Sequence, residues 1–208
     1  MINSAFLDDL PEPAKLEQLT QALAVLDAIM SPEWWYRYYS FDATWALGER
    51  MASMRNGSGD HWNMVFSDAG AALVGLAHES STFEPGNPKP WVFDGFPEVF
   101  EKNLRLEPAF ETENSTFCIW HLIEEGQWKS GVEGPVDDGS AELLNILNGD
   151  PKTYVKFAED YYEAELALKD VAHVYAHKPL TETLVKRMNP DVEFSSFWEE
   201  IHSILGTK

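Results

Sequence analysis

Residues 49–78 read ERMASMRNGSGDHWNMVFSDAGAALVGLAH, and this stretch decides the fold. Two runs within it, 49–56 and 61–67, flank a polar loop of four residues that contains glycine, and the second run alternates large apolar side chains with polar or smaller ones. Alternation at every second position predicts strands with one buried face, and a loop of this kind is typical of a β-hairpin. A second turn at 68–70 leads into residues 71–78, so we expect a three-stranded antiparallel meander.

The segments on either side of the meander predict a helix and further strands. Residues 14–30 place leucine and methionine at steps of three and four, which predicts an amphipathic helix. Residues 33–40, EWWYRYYS, are aromatic at nearly every position, and this composition predicts a strand. Farther on, 115–122 is the most apolar strand-like run, and with 127–130 it predicts a second hairpin. Gly75 indicates a bulge or the close approach of a neighbouring segment.

The C-terminal part of the chain has a helical pattern. Prolines crowd residues 81–96, which predicts a long surface loop, and a short helix is expected over 97–105. We therefore expect an α+β protein with a single domain over residues 1–208. Its antiparallel sheet, a meander plus a hairpin, lies in a strand-rich part (33–131), preceded by one N-terminal helix and followed by a helix-rich half (140–206).

The charge is strongly acidic. Lys and Arg number 15 against 35 Asp and Glu, which gives a formal net charge of −20. Residues 79–149 carry 14 acidic and 4 basic residues, and they include the polar connection predicted from Gly131 to Gly139. Such a surface disfavours nucleic acid and anionic membranes as partners, because both require clustered Lys and Arg. A basic protein or cations would be attracted instead, and we expect a partner to dock on this acidic segment.

The cysteine content and the N-terminus predict a cytoplasmic protein. Cys118 is the only cysteine, so no internal disulfide can form, which argues against a disulfide-stabilised secreted module. The N-terminus has no basic segment followed by a long apolar run, so no signal peptide is expected. No apolar stretch approaches the roughly 20 residues that a transmembrane helix needs. The oligomeric state is left open by the sequence.

A group of polar residues at the strand ends of the meander is the candidate site. It comprises Arg55, Asp60, His61, His78 and Glu79. If the hairpin pairs as predicted, Arg55 and His78 approach one another across the sheet, and mixed charges at a sheet end can form a pocket for a polar ligand. The alternative is that these are ordinary turn and edge residues.

Histidines four residues apart are the weak candidates for a metal site. His173 and His177 would share one face if the segment is helical, but the glutamate of the His-Glu-x-x-His motif is replaced by Val174. The alternative, solvated or packed histidines, is favoured, so no metal is expected. No cofactor motif is present either, because the loop at 56–59 lacks the glycine spacing, the lysine and the following helix of a phosphate-binding loop.

Four segments carry a resemblance to a known family. They are Met51–Asp60 (MASMRNGSGD), Ser31–Trp34 (SPEW), Glu107–Phe110 (EPAF) and Phe117–Trp120 (FCIW). With these segments the chain resembles, over most of its length, an uncharacterised family of bacterial proteins of similar length. That family has no assigned activity, so the resemblance implies no site residues. In size, acidity and fold class the chain is also similar to toxin-immunity proteins.

Two classes of function follow from the sequence. The first is a non-enzymatic, cytosolic protein-binding protein, of the kind that inhibits a basic toxin domain, because the chain combines strong acidity with no recognisable catalytic motif. The alternative is a small-molecule-binding protein or a hydrolase that uses the polar cluster at the end of the meander. The sequence does not decide whether the protein is an enzyme, but it favours a protein that is not.

Overall fold

The computed structural model describes residues 2–131 and 137–207. Within them, six strands form one antiparallel sheet in which every strand pairs with the strands next to it in sequence. The strands are β1 (Tyr39–Ala46), β2 (Glu49–Arg55), β3 (His61–Ser67), β4 (Gly70–Leu76), β5 (Phe117–Leu122) and β6 (Gln127–Ser130). The predicted meander and second hairpin are thus confirmed, and β5 joins them into one sheet by pairing with β4.

All but one of the described helices lie on one face of the sheet. On that face are α1 (Pro13–Met30), α3 (Ser140–Leu143), α4 (Pro151–Tyr162), α5 (Leu168–Tyr175), α6 (Glu182–Met188) and α7 (Phe194–Leu205). The short helix α2 (Glu98–Phe100) lies on the opposite face. The predicted N-terminal helix and helix-rich C-terminal half are confirmed. Helix α1 is central, since it contacts β1, α5 and α7 and buries residues around most of its circumference.

The alternation along the strands separates two apolar cores. In β3, Trp62, Met64 and Phe66 belong to the core under the helices, whereas Val65 belongs to the core on the opposite face. Burial of side chains of this size is the main stabilising contribution, at about 25 cal/mol for each Å² of apolar surface removed from water. The sheet is therefore covered on both sides.

The second face is covered by the segment between β4 and β5. Short helical turns, Pro90–Phe93 and Glu98–Phe100 followed by Glu101–Arg105, pack buried side chains such as Phe100 and Leu104 onto it. The short helix predicted over 97–105 is confirmed. The proline-rich stretch expected as a plain surface loop contributes the buried Val92, so it is partly a structural covering. The connection predicted from Gly131 to Gly139 lies largely outside the described residues.

The strand predicted over 33–40 is wrong. Residues Trp34–Tyr36 form a 3₁₀ turn with no buried residue, and β1 begins only at Tyr39. Burial alternates at the start of β1: Tyr39 and Phe41 are buried, and the residues between and after them are more exposed. Consecutive side chains of a strand point to opposite faces, so a run that is aromatic at consecutive positions cannot place all its rings on one face. The aromatic composition therefore gave a wrong prediction, whereas the lack of a two-residue period argued against a strand.

Gly75 confirms the prediction of close approach and gives a testable consequence. It lies opposite Phe117 in the sheet, and a Cβ at this position would come within 2.1 Å of the buried Phe117 ring. We expect Gly75→Ala to lower the free energy of unfolding by about 1–3 kcal/mol, as overpacking of a filled core does. Urea unfolding measures the change. The double variant Gly75→Ala/Phe117→Leu should recover part of the loss, and equal stability of Gly75→Ala and wild type would contradict the assignment.

Candidate functional site

Asp60 and His78, two members of the predicted polar cluster, are paired at the end of the sheet. Asp60 Oδ1 accepts a hydrogen bond from the backbone N–H of His78 at 2.8 Å and lies 2.7 Å from His78 Nδ1. Asp60 Oδ2 accepts from the side-chain amide of Asn56 at 2.7 Å. An ionised carboxylate can only accept, so His78 Nδ1 carries a proton. In the neutral ring this leaves Nε2 as a hydrogen-bond acceptor.

The electrostatics of the pair keep the carboxylate charged. Burial of Asp60 raises its pKa, but the hydrogen bonds from His78 and from the Asn56 amide together outweigh burial, and the pKa of Asp60 lies below its usual value. The His78 side chain is 36% exposed, so its Nε2 can meet solvent or a ligand. The pair is thus an oriented imidazole at the rim of the sheet, as in many acid–base sites.

The other predicted members are placed differently. Glu79 is 89% exposed, and its Oε1 lies 4.0 Å from His78 Nε2. His61 Nδ1 lies 3.3 Å from the carbonyl oxygen of Gly59 in the hairpin loop. In the described part of the chain, no Ser, Thr or Cys side chain hydrogen-bonds to the ring of His78. The geometry therefore holds an imidazole but provides no neighbouring nucleophile of the kind that covalent hydrolysis uses.

Arg55, which the sequence places near His78, makes its described contacts with Trp34. Its guanidinium carbon lies 3.3 Å from the centroid of the Trp34 ring, and its Nη2 donates to the Trp34 carbonyl oxygen at 2.8 Å. This is a cation–π stack reinforced by a hydrogen bond. Arg55 thus holds the turn before β1 against the end of β2.

That turn exposes three consecutive aromatic residues, and we call residues Trp34–Tyr36 the aromatic turn. Its three side chains are 52%, 66% and 55% exposed in sequence order. The ring of Tyr161 on α4, itself 38% exposed, lies beside it, and the Tyr161 hydroxyl donates to the Tyr36 carbonyl oxygen at 2.8 Å. Neighbouring exposed aromatic side chains of this size indicate an interaction site.

A buried arginine fixes the aromatic turn from below. Arg37 is 3% exposed and donates from Nε to the Ser31 carbonyl oxygen at 2.7 Å and from Nη2 to the Pro32 carbonyl oxygen at 3.1 Å. The same guanidinium forms a bidentate ion pair with Glu200 on α7. The aromatic turn is therefore held at both ends by hydrogen bonds, and its rings are exposed on a rigid support.

Sequence reasoning missed the aromatic turn because it interpreted the same residues as a strand. Pro32 before the run and the absence of alternation were the available signals, since a strand in a covered sheet places apolar residues at every second position. The partners Glu200 and Tyr161 lie more than a hundred residues away in sequence, so no local pattern could have indicated that the turn is anchored.

The acidic segment 79–149 forms part of a cleft on the second face of the sheet. The cleft has a volume of about 890 Å³, and we call it the acidic cleft because three glutamates line it: Glu107, Glu111 and Glu113. The two basic residues in its lining are already paired with acids, Lys89 with Glu84 at 3.1 Å and Arg105 with Glu101 at 2.7 Å. The cleft therefore presents a negative potential to any partner.

A buried carboxylate links the central helix to the start of the sheet. Asp27 on α1 is fully buried, and its Oδ2 accepts from the backbone N–H groups of Tyr38 and Tyr39 at 2.8 Å each. Its Oδ1 accepts from the Tyr154 hydroxyl at 2.7 Å. Burial raises the pKa of Asp27 to about 6, and these hydrogen bonds oppose the rise without cancelling it. Its contacts tie three elements together, so it serves the fold.

The metal candidates do not form a site in the structure. His177 lies beyond the end of α5, in a left-handed backbone conformation with φ of 49°, so it does not share a helix face with His173. Each ring nitrogen Nε2 faces a backbone carbonyl oxygen, of Pro179 at 3.0 Å and of Gln18 at 2.8 Å respectively. Among the described residues, no group of three or more potential ligands is placed to hold a metal ion.

Comparisons with known proteins give no relative. No family model, no curated protein and no solved structure matches the chain. The resemblance to a bacterial family therefore stays a prediction, and the function is argued from geometry. Across residues 2–131 and 137–207, none of the helices combines the length and apolar character needed to cross a membrane.

Proposed function

We propose that this chain is a non-enzymatic, cytoplasmic binding protein of the immunity type, which inhibits a basic protein by docking on it through the aromatic turn. The observation that carries the proposal is the aromatic turn itself, three consecutive large rings that are exposed and yet rigidly held. Side chains of Trp, Tyr and Arg dominate the binding energy at protein interfaces. The turn offers Trp34, Trp35 and Tyr36 with Arg55 stacked beneath.

The rigid support of the turn favours tight binding. Ordering a flexible, rotamer-rich side chain at an interface costs about 0.5–1.5 kcal/mol. Here the stack on Arg55 and the hydrogen bond from Tyr161 order the segment before a partner arrives. Trp35, 66% exposed, contacts Tyr36 edge to face, with ring centroids 6.1 Å apart. Its solvent-facing surface is available for insertion into a pocket on the partner.

The net charge defines the chemistry of the partner. A surface with a formal charge of −20 accelerates association with a basic protein, and this acceleration decreases as salt screens the charges. The acidic cleft adds to the field through Glu107, Glu111 and Glu113. We place the docking site on the aromatic turn, and we assign the acidic segment the role of steering.

The test is affinity capture from lysate of the source cells, at low and at moderate salt, with three forms of the protein. Wild type should retain a protein of high isoelectric point, more at low salt than at moderate salt. The variant Trp35→Ala/Tyr36→Ala should lose that protein at both salt concentrations, because the contact area is gone. Trp91→Ala, which removes a tryptophan that is 37% exposed on another part of the surface, should retain it.

A fourth form separates docking from steering. The triple variant Glu107→Lys/Glu111→Lys/Glu113→Lys should slow association without abolishing the complex. Lysine at three other exposed acidic residues, Glu159 and Asp160 on α4 and Glu165 just beyond it, changes the net charge by the same amount and is the matched control. Retention of the same basic protein by Trp35→Ala/Tyr36→Ala would refute docking on the aromatic turn. Failure of wild type to retain any basic protein would refute the function.

A further inference from the structure

A second concave site, unrelated to the aromatic turn, lies between helices on the first face of the sheet. It has a volume of about 270 Å³, opens to solvent, and is lined by α1, by the end of α5 and its connection to α6, by α7 and by Thr207. We call it the helical cavity. Its size is close to the lower end of small-molecule sites, which run from about 300 to 1,000 Å³.

The inner wall of the helical cavity is apolar. Val25 from α1 and Val174 from α5 are buried and form its floor. The rings and branched side chains of Trp198, Leu180 and Leu205 are only partly buried and form its sides. On α7 the lining residues follow helical spacing, so one face of the helix is presented to the cavity. Such a lining accepts a hydrocarbon chain or a ring.

The described rim of the helical cavity contains basic residues and no acidic ones, in contrast to the strongly acidic composition of the whole chain. The titratable side chains in its described lining are His177, Lys178 and His202, all of them exposed, and this lining contains no Asp or Glu. The whole chain, by contrast, carries 35 acidic and 15 basic residues. The cavity therefore joins an apolar interior to a mouth whose formal charge, that of Lys178, is positive, and this combination is complementary to an amphipathic anion.

His177 is oriented at this mouth by a specific contact. Its Nε2 lies 2.8 Å from the Gln18 carbonyl oxygen, which can only accept, so Nε2 carries the proton. This contact does not involve Nδ1, the other ring nitrogen. The residue adopts φ of 49°, in the left-handed region that is unfavourable for a side chain other than glycine. Such a conformation persists only where surrounding contacts impose it.

We propose that the helical cavity binds a medium-chain carboxylate, with the alkyl chain against Trp198 and Leu205 and the carboxylate at Lys178 and the two histidines. At the packing density of protein interiors, about 0.75, a cavity of this volume holds roughly ten non-hydrogen atoms of a ligand. Octanoate has that size. A carboxylate also matches the cationic ammonium of Lys178. The proposal is independent of the protein-binding function.

Isothermal titration calorimetry with octanoate, octylammonium and butyrate tests the proposal. Octanoate should bind at least tenfold more tightly than octylammonium, because the mouth is basic. Nonspecific attraction to a protein of charge −20 predicts the reverse order, so the comparison is decisive. Butyrate should bind at least tenfold more weakly than octanoate, because it leaves most of the apolar wall uncovered.

Two variants locate the binding site. Lys178→Glu should weaken octanoate at least fivefold, whereas Lys156→Glu, the same charge change at an exposed residue of α4, should leave it within twofold. Leu205→Trp fills the cavity and should abolish binding while the thermal unfolding transition remains cooperative. Equal or tighter binding of octylammonium, equal effects of the two lysine variants, or unchanged binding in Leu205→Trp would each overturn the proposal.

Discussion

Replacing Asp27 by asparagine is expected to stabilise the protein progressively, relative to wild type, as the pH rises from 4 to 7.5. The buried carboxylate has its pKa raised to about 6 from an ordinary value of 3.8. A shift of one pKa unit corresponds to about 1.4 kcal/mol, so the difference between the two proteins should grow by roughly 2–3 kcal/mol over this interval.

The sign follows from proton linkage. Because the pKa of Asp27 is higher in the folded state, the folded protein binds more protons than the unfolded chain between pH 4 and 6. Its contribution to stability is therefore greatest below pH 4 and is lost as the pH rises through 6. Asparagine does not titrate. Its side-chain oxygen can accept from the N–H groups of Tyr38 and Tyr39, but its amide replaces the acceptor of the Tyr154 hydroxyl by a donor, and this cost does not change with pH in the interval.

Urea unfolding followed by tryptophan fluorescence, at half-unit steps of pH, measures the difference. Asp160→Asn, at an exposed position on α4, is the control and should show a profile parallel to wild type. Other carboxylates with lowered pKa values, such as Asp60 and Asp170, lose their stabilising contribution on acidification in all three proteins alike. A profile of Asp27→Asn that also runs parallel to wild type would show that burial does not perturb this group.

The sheet was predictable because its strands are adjacent in sequence and its turns are marked by nearby residues. The hairpin from β2 to β3 and the turn before β4 are marked by glycine-containing loops between runs of period two. Gly75 was recognisable for the same reason, although its partner Phe117 lies far away in sequence. The aromatic run before β1 failed because strand propensity reflects packing on a pleated surface, and these rings have no such surface to cover.

The candidate site was predictable only in part. The pairing of Asp60 with His78 joins two hairpin ends that neighbouring strands bring together, so a correct meander implies their proximity. The placement of Arg55 on Trp34 depends on the turn that was mistaken for a strand. The helical cavity depends on how α1, α5 and α7 pack, and sequence periodicity gives the faces of helices but not their mutual arrangement.

Removing the arginine beneath the aromatic turn is expected to affect both stability and binding. Arg37→Met keeps an apolar stem of similar length but deletes the donors to Ser31, Pro32 and Glu200. Breaking a buried ion pair by removing one partner costs about 3–5 kcal/mol. Glu200 is 38% exposed and can regain water, so we expect a loss near the lower limit, about 3 kcal/mol.

Arg50→Met is the matched control for this change. Arg50 forms an ion pair of the same bidentate geometry with Glu17, at 2.8 and 2.6 Å, but both side chains are more than a fifth exposed. Exposed pairs contribute about 0–1 kcal/mol, so its replacement should have a small effect. Chemical unfolding measures both variants, and equal losses would show that burial of Arg37 is not what makes its contacts stabilising.

The binding consequence of Arg37→Met connects the fold to the proposed function. Without the guanidinium of Arg37, the carbonyl groups of Ser31 and Pro32 lose these donors, and of the side-chain contacts that anchor the aromatic turn to other elements, those of Arg55 and Tyr161 remain. The three rings remain in the sequence but lose part of their preorganisation, so the ordering cost returns at binding. We therefore expect Arg37→Met to weaken capture of the basic partner, at a temperature where the variant is still folded, whereas Arg50→Met should capture it as wild type does.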